Sequence, residues 1–159
     1  MRRLEIHCLA LDGETPSKKN SRINTRSGRS FPSRKFQEWH SSAVRSLERQ
    51  WGGKKPLDSP CLVAAAFFHS TRRRRDSDNQ LSSVLDTLVD AGVLKDDNCN
   101  IARVLMATSI FGAEKDRALL MIRELDESET RDDREPFSGD RGGGEEAGAE
   151  NPRRDSSAL

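Results

Sequence analysis

Tyrosine is absent from this chain of 159 residues, and aromatic residues make up only 5% of it. Cysteine is scarce: Cys8, Cys61 and Cys99 stand far apart, with no Cys-x-x-Cys pair. That pattern excludes a zinc ribbon and a disulfide framework, and it fits a reducing, cytoplasmic setting. No apolar run approaches the roughly 20 residues needed to cross a bilayer. In the opening "MRRLEIHCLALDG", Glu5 and His7 break the apolar stretch, so it reads as a first strand rather than a signal peptide.

An excess of either charge is also missing, since the net charge is +1. That value averages two unlike parts. Residues 1–125 hold 22 basic against 15 acidic residues, a net +7, and residues 126–159 hold 5 against 11, a net −6. The length suits one domain, and most apolar residues lie before Asp126. The remainder is rich in Glu, Asp, Gly and Ser, with Phe137 its only aromatic. Such a segment cannot bury enough apolar surface to offset its ordering entropy. The expectation is a folded domain over 1–125 and a disordered acidic tail over 126–159. A basic domain points to a polyanionic partner.

"LEIHCLAL" (4–11) alternates as a strand does. Residues 15–35 read as a loop holding Lys18, Lys19 and Arg22 among seven basic residues and no acid, which points to a nucleic-acid contact. Phe36, Trp39, His40, Ala43, Val44, Leu47 and Trp51 then recur at helical spacing, with Ser33 as N-cap and Gly52-Gly53 as the stop. Trp39 and Trp51 lie on this stripe and read as core, with partial exposure at the helix end the alternative for Trp51. "CLVAAAFFHS" suits a strand buried on both faces. Leu81, Val84, Leu85, Leu88 and Val89 form a second helical stripe ended by Gly92. "IARVLMATSIF" and "RALLMIREL" read as two strands around a hairpin turn, "GAEKD". The order β-α-β-α-β-β gives a single α+β domain with a mixed sheet.

The densest positive charge, Arg72–Arg75, runs directly into "DSDN". In extended chain Asp76 and Asp78 project to one side, so their carboxylates crowd unless a cation lies between them. "LKDDNCN" beyond the helix adds Asp96 and Asp97. Oxygen clusters without thiolates suit a hard cation such as Mg²⁺ or Mn²⁺. Such a cation activates water and neutralises charge on a scissile phosphate, while arginines beside it hold flanking phosphates. Structural roles compete. Asp78 would serve as a helix N-cap, Asp76 as an arginine partner, and Asp96-Asp97-Asn98 as a turn. An EF-hand fails, because Gln80 and Leu81 fall on its fifth and sixth positions. His7, His40 and His69 are isolated in sequence and suit packing better than catalysis.

"RRRRDSDNQLSSVLDTLVDAGVLKDD" (72–97) resembles the signature of the RusA-type Holliday junction resolvases, small endonucleases often carried by phages and prophages. "TPSKKNSR" resembles the family's N-terminal region more loosely. The resemblance implies divalent-metal-dependent cleavage of four-way DNA junctions by a homodimer, in recombination and repair. It places the essential carboxylates, as catalytic residues and metal ligands, on Asp76, Asp78 and Asp97, with Asn79, Asp96 and Lys95 in support. Arg72, Arg73, Arg74, Arg75, Lys18, Lys19 and Arg22 are the DNA-binding candidates. The cofactor expected is Mg²⁺, with Mn²⁺ as the alternative, and no small-molecule cofactor or membrane partner. One position departs: the family lysine four residues after the second Asp is Ser82, and Lys95, Lys18 and Lys19 are the residues that would replace its charge. The rival function is a non-catalytic or weakly active branched-DNA-binding protein of the same fold.

Distance sets a further expectation. A helix over 79–91 is roughly 20 Å long, and six extended residues span about the same. Asp97 reaches Asp76 of its own chain only by a taut path, unless the helix is shorter or a partner subunit completes the site.

Overall fold

A computed structural model describes residues 5–19 and 21–130. The chain runs β1 (Ile6–Asp12), β2 (Arg22–Asn24), β3 (Ser30–Pro32), α1 (Arg34–Trp51), β4 (Cys61–His69), α2 (Ser77–Asp90), β5 (Ala102–Phe111), β6 (Arg117–Glu124) and α3 (Glu127–Thr130). Four strands form one mixed sheet in the order β1-β6-β4-β5. β4 and β5 are parallel, while β6 runs antiparallel to both β1 and β4. The α+β class, the mixed sheet and the main order of elements agree with expectation.

Both long helices lie on one face. Leu9, Leu11, Val63, Ala65, Phe67, Leu120 and Ile122 point into a core closed by Ala43, Leu47 and Trp51 of α1 and by Leu81, Val84 and Leu88 of α2. α1 begins where Ser33 accepts a hydrogen bond from the Phe36 amide and ends on Gly52 in the left-handed region, φ 66°. Trp51, on the core stripe, is fully buried even at the helix end, and its indole donates to the Lys54 carbonyl at 3.1 Å. β4 is a central strand, but it is not buried on both faces as expected: Cys61, Val63, Ala65 and Phe67 enter the core, while Leu62, Ala66 and Phe68 on the other face are partly exposed, because both long helices cover the same side. α2 starts earlier than its apolar stripe implied, at Ser77, because the cap is Asp76 and not Asp78.

Three further features depart from the sequence expectation. Residues 15–35 are not wholly loop, since β2 and β3 pair as a small antiparallel hairpin. "GAEKD" is not a hairpin turn, since β5 and β6 do not pair. β6 inserts between β1 and β4, leaving β5 on the far side of β4. The connection crosses the end of β4, where Gly112 and Ala113 donate their amides to the His69 carbonyl. The positive φ of Gly112, 88°, permits that reversal. Finally, Glu127–Thr130 form a helical turn after Asp126, tied to β6 by Arg123 and Glu129 at 2.7 Å. The rest of the expected disordered tail, from residue 131 on, lies outside the described residues.

The candidate nuclease site

β1, β4 and β5 share one direction, so their carboxyl ends meet at one edge of the molecule, where ligand sites gather in open sheets. Glu14 follows β1 there, Arg72–Arg75 follow β4, and α2 begins.

The four arginines divide by alternation. Arg75 Nε and Arg73 Nη2 lie 2.9 Å and 2.6 Å from the same oxygen of Glu14, Oε1. Lys35 approaches the other oxygen at 3.8 Å. Arg75 is turned inward, its side chain 7% exposed, and its remaining donors reach the carbonyls of Thr71 and Arg73 and the Thr71 hydroxyl. Arg72 and Arg74 are exposed. Burial raises the Glu14 pKa, but the hydrogen bonds and charges of Arg75 and Arg73 outweigh it and hold the carboxyl below its usual value. Sequence inspection missed Glu14, which stands one residue before the acid-free stretch. The signal available was that four adjacent arginines need a counter-charge.

Asp76 caps α2. Its Oδ1 accepts from the amides of Asp78 and Asn79, and its Oδ2 accepts from the Asn79 side chain at 2.6 Å. Asn79 thus orients Asp76 directly. Asp78, in the first turn of the helix, is exposed. These two carboxylates offer the oxygen donors that a hard divalent cation takes.

Asp97 lies elsewhere. It lines a cleft of about 500 Å³ with Lys18, His40, Asp86, Val89 and Asp90, alongside the C-terminal half of α2. Asp76 stands at the opposite end of that 14-residue helix. Asp76, Asp78 and Asp97 do not bring three ligand oxygens within 4.8 Å of one another. Among the described residues that spacing is met by Glu5, His7 and Glu124, at the far end of β1 and β6. Asp96 accepts from the Asn98 amide at 2.9 Å, as expected of a turn, and that bond lowers its pKa. Lys95 is exposed.

Lys18 crosses onto α2. Its ammonium pairs with Asp86 at 2.5 Å, and its amide donates to the Ser83 hydroxyl at 3.0 Å. It therefore stands beside Ser82, the exposed position of the missing family lysine. Lys19 is exposed, whereas Arg22 is spent within the hairpin on Ser30. His40 is not isolated, since its Nε2 lies 2.9 Å from Asp90. His7 packs edge-on against Trp51. His69 is buried against Phe111, with its Nε2 3.3 Å from Ser109, and burial and then Arg75 lower its pKa.

Residues 12–123 match the family profile described as Endodeoxyribonuclease RusA, which spans more than half of the chain and runs from the end of β1 to β6. The chain belongs to the RusA endodeoxyribonuclease family. It is similar to a crossover junction endodeoxyribonuclease RusA of Aquifex aeolicus, strain VF5, at 33% identity over 81 residues. That match covers 51% of this chain and 64% of the relative. Among the described residues no helix is long and apolar enough to cross a membrane.

Proposed function

We propose that the protein is a structure-selective endodeoxyribonuclease that resolves four-way DNA junctions in recombination and repair, acting in the cytoplasm as a homodimer with a divalent metal. The observation that carries this is the convergence of exposed Arg72 and Arg74 with Asp76 and Asp78 at the carboxyl edge of the sheet. Outward arginines next to paired carboxylates suit a phosphodiester held beside a cation.

Asp76 and Asp78 would hold the metal, with Asp97 as the third carboxylate. Mg²⁺ is the ion of choice and Mn²⁺ the alternative. When bound, the metal supplies charge neutralisation and activation of water. The chain's own residues do the rest. Asn79 fixes the Asp76 carboxylate, and Arg72 and Arg74 hold flanking phosphates. Glu14 keeps Arg73 and Arg75 in the conformation that turns the other two outward. Lys18, borne on α2 by Asp86, faces the substrate in place of the absent lysine.

The separation of Asp97 from Asp76 along α2 favours sites shared between two subunits. The exposed hydroxyl at Ser82 favours a second reading, a branched-DNA-binding protein that retains the fold and cuts weakly or not at all. Incubation with a labelled four-way junction and a linear duplex, each with Mg²⁺ or EDTA, separates the two. Cleavage confined to the junction with Mg²⁺ supports the resolvase. Equal binding in both buffers without any nick would leave the binder.

A further inference from the structure

The end of the sheet far from the nuclease site carries a second group of metal-ligating side chains. β1 and β6 pair with Ile6 opposite Arg123 and His7 opposite Ile122. Continued by one residue, that register sets Glu5 opposite Glu124. Alternation turns Glu5, His7 and Glu124 to the face that the helices cover, in line with Leu9 and Ile122. One ligand atom from each of the three lies within 4.8 Å of the other two. The seven residues of β1, about 23 Å of strand, separate the group from Glu14.

Like charges directly opposite one another destabilise a strand pair. Little offsets that here. Lys54 lies 3.3 Å from Glu5 Oε1, but both side chains are more than half exposed, and such an ion pair contributes little. Ser59 donates its hydroxyl to Glu124 Oε2 at 3.0 Å, which orients that carboxylate without supplying charge. His7 is a second and independent indication. Its side chain is only 9% exposed, yet neither ring nitrogen makes a hydrogen bond with a described residue. Buried polar groups are as a rule hydrogen-bonded. The Nδ1 instead stands 3.9 Å from Glu5 Oε1, beyond a hydrogen bond. Trp51 packs edge-on against the ring, centroids 4.7 Å apart, and fixes its direction. A dry imidazole without a partner, aimed at two carboxylates, has the position of a metal ligand.

We propose that Glu5, His7 and Glu124 form a second metal site, separate from the nuclease centre, which takes Zn²⁺ and pins the start of β1 to the end of β6. The donor set selects the ion. One imidazole with two carboxylates suits zinc, whereas Mg²⁺ prefers oxygen ligands and keeps several waters. Cys61, opposite Glu124 on β4, stays outside the set, because its thiol donates to the Ile101 carbonyl at 3.2 Å. A tetrahedral zinc ion with bonds of roughly 2.1 Å holds its ligand atoms about 3.4 Å apart. Closure therefore takes a movement on the order of 1 Å from the two glutamates, whose side chains swing while His7 stays held by Trp51. Glu5 exchanges Lys54 for the ion, and a fourth position is left to water. β1 is an edge strand paired only with β6, so the ion fastens the strand at the end that the helices leave most open to Glu5.

Zinc binding to the full chain, stripped of metal with EDTA and then held in excess Mg²⁺, tests this independently of nuclease activity. Zinc should raise the unfolding temperature of the native chain. In nuclear magnetic resonance it should shift the ring signals of His7 before those of His40 and His69. By calorimetry, Glu5→Gln, Glu124→Gln and His7→Gln should each weaken zinc binding by at least ~10-fold and reduce the rise in unfolding temperature. Glu5 is exposed, so Glu5→Gln serves even if a change at buried His7 disturbs the fold, which circular dichroism reports. Asp78→Asn should keep the zinc-induced shift of His7, which separates this site from the nuclease centre. His7 signals unmoved by saturating zinc, zinc binding undiminished in folded Glu5→Gln and Glu124→Gln, or loss of the His7 shift in Asp78→Asn would each overturn the proposal.

Discussion

Arg75 is bound inside the protein by Glu14, Nε to Oε1 at 2.9 Å, although it belongs to the most basic run of the chain. Its neighbour Arg74 faces solvent. Replacement of the two should therefore give opposite results. Arg74→Ala should leave urea unfolding within ~0.5 kcal/mol of native while lowering the slope of log affinity against log salt by about 0.9. Arg75→Ala should instead destabilise the fold. A loss of stability from Arg74→Ala, or of the salt slope alone from Arg75→Ala, would reverse these roles.

Glu14 adds a pH dependence. Its folded pKa is depressed below the ordinary 4.5, through Arg75 and Arg73 against the upward push of burial. The pair's stabilisation is thus complete above that ordinary value and is lost as pH falls through the lower folded value. Glu14→Gln should cost about 1–3 kcal/mol near neutrality, a figure reduced from that of a buried pair because Glu14 is partly exposed. The difference from native should shrink as pH falls below 4.5. Urea midpoints at pH 7 and pH 3.5 check this, and a constant difference would remove Glu14 as the counter-charge.

The two aspartates of "DSDN" should separate in the same way. Asp76→Ala should cost about 1 kcal/mol as a lost helix cap in addition to abolishing cleavage. Asp78→Asn should cost less than ~1 kcal/mol, its only structural role being its charge in the first helical turn, yet cleavage should vanish while junction binding persists. A cleaving Asp78→Asn protein would remove Asp78 from the metal site.

What the sequence disclosed was local. Ser33 and Gly52 frame α1 because capping chemistry acts within one turn, and the unbroken apolar run of β4 marks a central strand. The place of β6 was hidden. The alternation of Ala118, Leu120 and Ile122 fixes which face is buried, but nothing local says which strands will flank it, and a short connection suggests a hairpin. The site shows the same limit. Asp76, Asp78 and Asn79 are adjacent in the chain and could be read together, whereas Glu14 meets Arg75 only because β1 and β4 end at one edge.

Lys18 tests the substitute for the absent lysine. Held on α2 by Asp86, it should lose at least ~10-fold in cleavage on change to Ala, as expected for one charge-assisted phosphate contact. Lys95→Ala and Lys19→Ala should cost less. Ser82→Lys in the Lys18→Ala protein should restore activity. Equal, small losses for all three lysines would show that none substitutes.

The position of Asp97 leads to the last expectation. Among the described residues it shares a cleft with Lys18, Asp86 and Asp90, while Asp76 and Asp78 stand at the other end of α2. If a working site takes Asp97 from a second subunit, inactive Asp78→Asn and Asp97→Asn proteins should complement one another. In a mixed dimer one composite site would hold both mutations and the other neither. Subunit exchange, followed with differently tagged chains, should then restore about one native site in half of the dimers. Two matched cuts in one junction need two sites, so the mixture should nick junctions rather than resolve them in a single encounter. No recovery after demonstrated exchange would place all three carboxylates in one chain, and would require the loop bearing Asp97 to move toward the start of α2 when metal and DNA bind.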